Sequence, residues 1–254
     1  VDHSLTVSES YGVLRSPEED VYKFIIDDLN FAIQNLPLRS AATQDGQITK
    51  GAAETCLGEV YLTRGDKAKA ASVLKDVINS GQYQLEPNYA DLWNLNNKNC
   101  KESILEIQYV AAAGQPASPY LEEWAPFENF SITAQGHGLN QVTQTLYDSY
   151  EKGDPRREAS IATSYPDRTG KTVSALFENK WWDRSYIDNH SYYYGNNFIV
   201  YRYADVLLMY AEATGDASYL NMVRKRVNLP GFGEAGYPSD KYPTLDLAIE
   251  HERN

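Results

Sequence analysis

Residues 49–81, TKGAAETCLGEVYLTRGDKAKAASVLKDVINSG, constrain the fold of this 254-residue chain more than any other stretch. Leu57, Val60 and Tyr61 fall on one stripe of a helix expected over 49–63. Ala70, Leu74 and Val77 do the same over 67–80. Arg64, Gly65 and Asp66 leave room only for a turn between them. An Asp placed just before a helix accepts from its unsatisfied first N–H groups, so Asp66 reads as an N-cap and not as part of an adhesion tripeptide. Gly81 is a stop signal. Helices joined by so short a turn lie antiparallel, and Gly58 lets them cross where a side chain would hold them apart.

The order Leu57, Gly58, Tyr61, then Ala70 and Leu74, matches tetratricopeptide spacing. One such unit cannot bury its apolar face alone, so neighbours are required. The preceding stretch, SPEEDVYKFIIDDLNFAIQNLP, supplies one. Ser16 at the N-cap, Pro17 at N1 and Glu19 at N3 make a capping box. Val21, Ile25, Leu29, Ala32 and Leu36 form the stripe, and Pro37 ends it. Ala32 and Pro37 are in register with the second half of an earlier unit. Residues 38–48 are polar and read as loop.

After Gly81 the pattern changes. SILEIQYV alternates, with Leu105, Ile107 and Tyr109 expected on one side of a strand and Glu106 and Gln108 on the other. Residues 111–139 read as loop rich in rings. Val142, Leu146 and Tyr150 mark a short helix, and loop is expected again to about Phe198. YRYADVLLMYAEA and residues 219–227 are helical, and LDLAIEHERN opens a further helix. The fold class is therefore mainly α: tetratricopeptide-like helix pairs carrying a loop-rich face with little strand.

Net charge is −12, which disfavours nucleic acid and anionic membrane surfaces, since both are bound through clustered Lys and Arg. No apolar run approaches the ~18 residues of a membrane span. Cys56 and Cys100 have no metal-type spacing, and two thiols make no disulfide framework. The chain opens on Val1 without a leader pattern, which points to a processed or excised piece. GFGEAG at 231–236 fits a dinucleotide fingerprint, but it follows a helix and Pro230 instead of a strand. His3, His137, His190 and His251 are scattered, so no metal and no cofactor is expected. No G-x-S-x-G nucleophile elbow occurs.

The segments IIDDLNFAIQNLP, GEVYLTRGDKAKAASVLKDVINSGQYQL, YADLW, ESILEIQY, GDPRR, YRYADVLLMYAEA, YLNMVRKRVNLP and AIEHERN appear in an order that resembles the SusD/RagB family of Bacteroidota surface lipoproteins. The resemblance spans nearly the whole chain. It implies one SusD-like domain over 1–254, with tetratricopeptide-like helices at 16–81, a loop-rich ligand-facing region at 82–197 and returning helices at 198–254. It also implies non-catalytic binding of a glycan or other nutrient at the outer-membrane surface. The implied partner is a TonB-dependent transport barrel, and the implied membrane tie is a lipid anchor that these residues do not contain. Family members are longer, so the chain is expected to be incomplete at both ends. The family has no fixed ligand motif, so no contact residue carries over.

Residue chemistry proposes a site. A pyranose has an apolar face of C–H groups and a rim of hydroxyls. Trp and Tyr cover the face, while Asn, Asp and Arg take the hydroxyls. Segments 120–130 and 181–194 have that composition. Trp181, Trp182, Tyr192 and Tyr194, with Tyr120 and Trp124, are the expected stacking rings, partly exposed in the free protein. Asp183, Arg184, Asn189 and Asn196 are the expected hydroxyl contacts. The same rings suit a loop core or a protein interface. Two other functions stay open: a tetratricopeptide scaffold for a protein partner, and a glycoside hydrolase with two carboxylates drawn from Glu122, Glu123, Glu178, Asp183 and Asp188.

Overall fold

The computed structural model describes residues 3–127, 136–182 and 194–253. In chain order the elements are α1 (Val7–Ser10), α2 (Glu18–Asn35), α3 (Lys50–Thr63), α4 (Lys67–Asn79), β1 (Ser103–Ile107), α5 (Tyr120–Trp124), α6 (Gln144–Ser149), α7 (Arg156–Ser160), β2 (Ile161–Pro166), β3 (Thr172–Glu178), β4 (Phe198–Arg202), α8 (Tyr203–Thr214), α9 (Ala217–Arg226) and α10 (Leu245–Arg253). It is a mainly helical fold, and among the described residues its strands make two small antiparallel sheets, β1 with β4 and β2 with β3.

The helix pair follows its sequence closely. Asp66 accepts from the backbone N–H of Lys69 at 3.2 Å and caps α4. Ala70, Leu74 and Val77 are completely buried, and Leu57 is buried opposite them. A Cβ on Gly58 would lie 2.5 Å from Leu74 Cδ2, well inside van der Waals contact, which is the close crossing expected there. Gly81, just past the C-cap of α4, takes φ +64°, which glycine adopts without strain.

α8 is the hub. Apart from Asp205, every residue from Tyr203 to Ala211 is buried. A helix apolar all round must be covered all round, and α8 is packed by α3, α4, α9 and α10. Leu74, Val77, Val206, Leu207, Leu220 and Ile249 share this core.

Several expectations are corrected. The capping box at Ser16 does not form: Pro17 holds the N-cap without a side-chain bond, and the Glu19 carboxylate turns instead to Arg64, which donates to it at 2.6 and 2.7 Å. α2 packs on α3 along one face, so Ile25, Leu29, Ala32 and Leu36 are only half-buried and Val21 is exposed. In β1 the pairing slips between Ser103 and Leu105 and between Leu105 and Glu106. These irregularities turn Ile104 and Glu106 inward and leave Ile107 47% exposed, the reverse of the simple alternation.

The stretch expected as loop from about 151 to 198 contains α7 and the β2–β3 hairpin. Its signals were present: Val173, Ala175 and Phe177 alternate, and Asp167 closes the turn by accepting from the N–H groups of Thr169 and Lys171 at 2.8 and 2.9 Å. α5 likewise interrupts the loop expected over 111–139.

Buried ion pairs join the remaining pieces. Arg224, 1% exposed, donates to Pro230 O (2.7 Å), Glu252 Oε2 (2.9 Å) and Glu151 Oε2 (3.0 Å). Arg156 donates to both Asp154 oxygens and to Glu252. Burial works against the Arg156 charge, but Asp154 and Glu252 outweigh it and hold the guanidinium above its ordinary pKa. Arg226 grips the wholly buried Glu102 at 2.7 and 2.9 Å, and Arg202 meets the same carboxylate at 3.4 Å. Cys56 and Cys100 are free thiols.

Three tests follow from this packing. Gly58→Leu overpacks the α3–α4 crossing and is expected to cost about 1–3 kcal/mol in urea unfolding; an unchanged midpoint would place the crossing elsewhere. Glu252→Ala leaves Arg156 and Arg224 with an uncompensated share of buried charge, at a cost of about 3–5 kcal/mol. Burial pushes the Cys100 thiol up from 9.0 to about 11. The folded state therefore holds that proton more tightly, so the thiol's contribution is whole below pH 9 and is lost as pH rises from there to about 11. Denaturation at successive alkaline pH values should show a shallower loss for Cys100→Ala than for the parent.

Candidate ring-cluster site

Four segments far apart in sequence deliver rings to one place. The 3-10 turn Tyr89–Trp93 brings Trp93, α5 brings Tyr120 and Trp124, the residues just after β3 bring Trp181, and β4 opens with Phe198. Trp181 sits among them. Its ring centroid lies 4.8 Å from that of Trp124, 5.5 Å from Tyr120, 5.9 Å from Trp93 and 6.1 Å from Phe198. Tyr120 also meets Trp124 at 4.8 Å and Tyr109 at 6.0 Å. Offset and edge-on contacts at these distances are the favourable arrangements for aromatic quadrupoles.

The cluster is fixed from below by a polar network. The Tyr109 N–H donates to Asn197 Oδ1 at 2.9 Å, and Asn197 Nδ2 donates to Glu106 Oε2 at 2.7 Å and Gln108 Oε1 at 2.9 Å. The inward turn of Glu106 is thus used: it fastens β1 to the strand entering α8. Lys98 donates to Tyr109 O at 3.0 Å, and Lys180 Nζ lies 4.8 Å from the Trp93 ring centroid. Burial, followed by Tyr109, raises the Tyr120 phenol to about 12, so it stays a neutral donor at any working pH.

The expected site residues divide. Tyr120, Trp124 and Trp181 are brought together. Tyr120 and Trp124 are half-buried, whereas Trp181 is only 9% exposed, so its expected partial exposure is corrected: neighbouring rings cover it. Trp182 points to a different cluster, 5.2 Å from Phe177, together with Tyr165, Leu121 and Tyr194. Tyr194 is fully buried there, which also corrects its expected exposure. Its carbonyl accepts from Ser118 N at 2.8 Å and pins the segment before β4 to the loop before α5. Asn196 is buried and lines a cleft with Trp93, Lys98, Lys180 and Asn197. Tyr192, Asp183, Arg184 and Asn189 lie outside the described residues.

Trp93, Phe198 and Tyr109 are members the sequence reading missed. Trp93 sits in the turn-rich NYADLWNLNN, where a lone indole carries no periodic signal. Among the described residues, the buried indole N–H groups of Trp93 and Trp181, Ser118 Oγ and Asn196 Oδ1 have no hydrogen-bond partner. Such atoms are rare in native proteins and call for a water or a ligand. Of the carboxylates weighed for hydrolysis, Glu123 lies 3.7 Å from His137, and burial raises the pKa values of Glu122 and Glu178. No group of three or more metal-ligating side chains forms among the described residues.

The SusD family model matches residues 79–254. SusD-like protein P2 of Formosa agariphila is 29% identical over an alignment of 254 residues that covers 87% of this chain and 50% of the relative. A laminarin-binding SusD-like protein of known structure superposes with a TM-score of 0.75 at 32% identity, covering 95% of this chain and 61% of that one. Surface glycan-binding protein A from Bacteroides thetaiotaomicron, solved with laminarihexaose, gives a TM-score of 0.74 at 24% identity over 92% of this chain and 58% of that one, a likeness of fold. The chain thus spans about half to three-fifths of the length of these relatives. The family model covers well over half of the chain, α8, α9 and α10 included: the chain belongs to the SusD family.

Proposed function

We propose that this chain binds a glycan without cleaving it. The observation that carries the reading is the Trp93, Tyr120, Trp124, Trp181 and Phe198 cluster, assembled from four segments on one rigid frame. Tyr120 and Trp124 form its half-buried rim and would cover the C–H face of a pyranose. Trp181 is the packing centre that sets their tilt. Asn196 and the unpartnered indole N–H groups supply polar points next to the rings. Asp183, Arg184, Asn189 and Tyr192 belong to the same proposal through their position in the chain. Trp182 and Tyr194 support the site from the adjoining core.

The laminarin-binding relative, at 32% identity, makes a laminarin-type β-glucan the first ligand to try. Family membership supports the wider setting: a surface-exposed lipoprotein of the outer membrane that hands its glycan to a TonB-dependent transport barrel. Helices at 16–81 and 198–254 would be the frame and residues 82–197 the ligand-facing part.

The rim and the centre should separate by experiment. In calorimetric titration with laminarihexaose, Trp124→Ala and Tyr120→Ala are expected to weaken binding by about 0.5–1.5 kcal/mol beyond lost area, with little change in melting temperature. Trp181→Ala should instead cost about 3–5 kcal/mol of stability, as for a large buried ring. No reducing sugar should appear on long incubation. Unchanged affinity in both rim variants would remove the cluster from the site, and sugar release would make the protein a hydrolase.

A further inference from the structure

The ion-pair frame encloses a cavity of about 100 Å³ whose lining includes Tyr89, Arg156, Lys180, Arg202, Arg226 and Glu252. Its charges are unevenly shared. On one side Arg156 and Arg224 face three carboxylates, Asp154, Glu151 and Glu252, and every one is engaged at ion-pair distance. On the Tyr89 side three cations, Lys180, Arg202 and Arg226, face two carboxylates, Glu102 and Asp205. Arg226 Nη1 donates to both Glu102 oxygens, and Glu102 reaches Arg202 only at 3.4 Å. Asp205 lies 3.7 Å from Arg202 and is occupied by the Arg202 backbone N–H at 2.7 Å.

Two cationic groups are left under-used. Arg226 is buried, its side chain 4% exposed, and its Nε has no hydrogen-bond partner. Lys180 lies over the Trp93 ring and has no carboxylate in ion-pair reach among the described residues. A buried guanidinium N–H without a partner is costly unless something completes it, and the Lys180 ammonium beside it makes an anion the fitting group. The Tyr89 ring reports the same field. Burial alone would push its phenol up, yet Lys180, Arg202, the Ser160 hydroxyl and Arg156 together hold it below its ordinary value. Arg226 also stands 5.3 Å from that ring centroid.

We propose that this cavity binds a small oxyanion, a sulfate, phosphate or carboxylate group, between Lys180, Arg202 and Arg226. The volume is enough for one such group with little water. Guanidinium forks match oxyanion geometry. The site stands apart from the glycan reading, although Lys180 touches both the cavity and the ring cluster. The oxyanion can therefore arrive free or as an acidic substituent of a sugar chain, and the test separates the two.

The first measurement is the melting temperature against sodium sulfate, at ionic strength held constant with sodium chloride. A saturable rise is expected. Lys180→Met should weaken the apparent affinity by about tenfold or more, and Lys180 is partly exposed, so folding is not at stake. Lys152→Met, an exposed position outside the cavity, should leave it unchanged. Crystals soaked in selenate should show anomalous density between the three cations. A uronic-acid oligosaccharide that binds in a Lys180-dependent way, beside a neutral counterpart that does not, assigns the anion to a sugar; a sulfate effect alone assigns it to a free ion. A rise that does not saturate, or one that Lys180→Met leaves intact, overturns the proposal.

Discussion

Arg224 and Glu252 hold the fold at the point where its distant pieces meet. Arg224 belongs to α9 and Glu252 to α10, and through Glu151 and Arg156 they reach the segment around α7. Glu102, just before β1, is bound by Arg226 of α9 and by Arg202 at the start of α8, while it accepts from the Glu86 backbone N–H at 2.7 Å. Desolvating this many charges is expensive, and their attraction repays it only when each is met in good geometry. One misplaced element would leave a charge without a partner in low dielectric. The network therefore penalises any arrangement of helices in which one of these partners is missing.

The motifs that carry the family resemblance are the same residues. GDPRR supplies Asp154 and Arg156, YLNMVRKRVNLP supplies Arg224 and Arg226, AIEHERN supplies Glu252, and ESILEIQY supplies Glu102. In sequence they look like solvated charge. In the structure Arg224 and Glu102 are among the most buried side chains of the molecule, and Asp154 is buried as well. The charged residues of the motifs that carry the resemblance are thus the joints of the frame.

The rings depend on that frame. Trp93 ends the turn that opens with Tyr89, over which Arg226 lies, and Phe198 opens the strand that runs into α8. β1 pairs with β4 across some ninety residues of chain, and the Asn197, Glu106 and Gln108 contacts fasten the loops to that pair. A ring platform built on irregular backbone needs such support, because its tilt and spacing decide whether a flat sugar face can be met.

The sequence by itself determined the long helices, because their information is local and periodic, while the short α5 and α7 lie in stretches that read as loop. The stripe of Ala70, Leu74 and Val77, the Asp66 cap, the Gly58 crossing and the apolar run of α8 could all be read from spacing. Composition also marked Tyr120, Trp124 and Trp181 as candidates for one site. Only the tertiary structure decided which rings meet. Trp93 and Phe198 join the cluster from distant segments, while Trp182 and Tyr194 turn into a neighbouring core. It also decided that Glu106 faces inward, through a slip in strand pairing that no alternation encodes. The physical reason is the same throughout. Helix periodicity and capping are settled within a few residues. The partner of a lone ring or a lone charge is settled by chain closure over long separations, where burial and pairing are decided together.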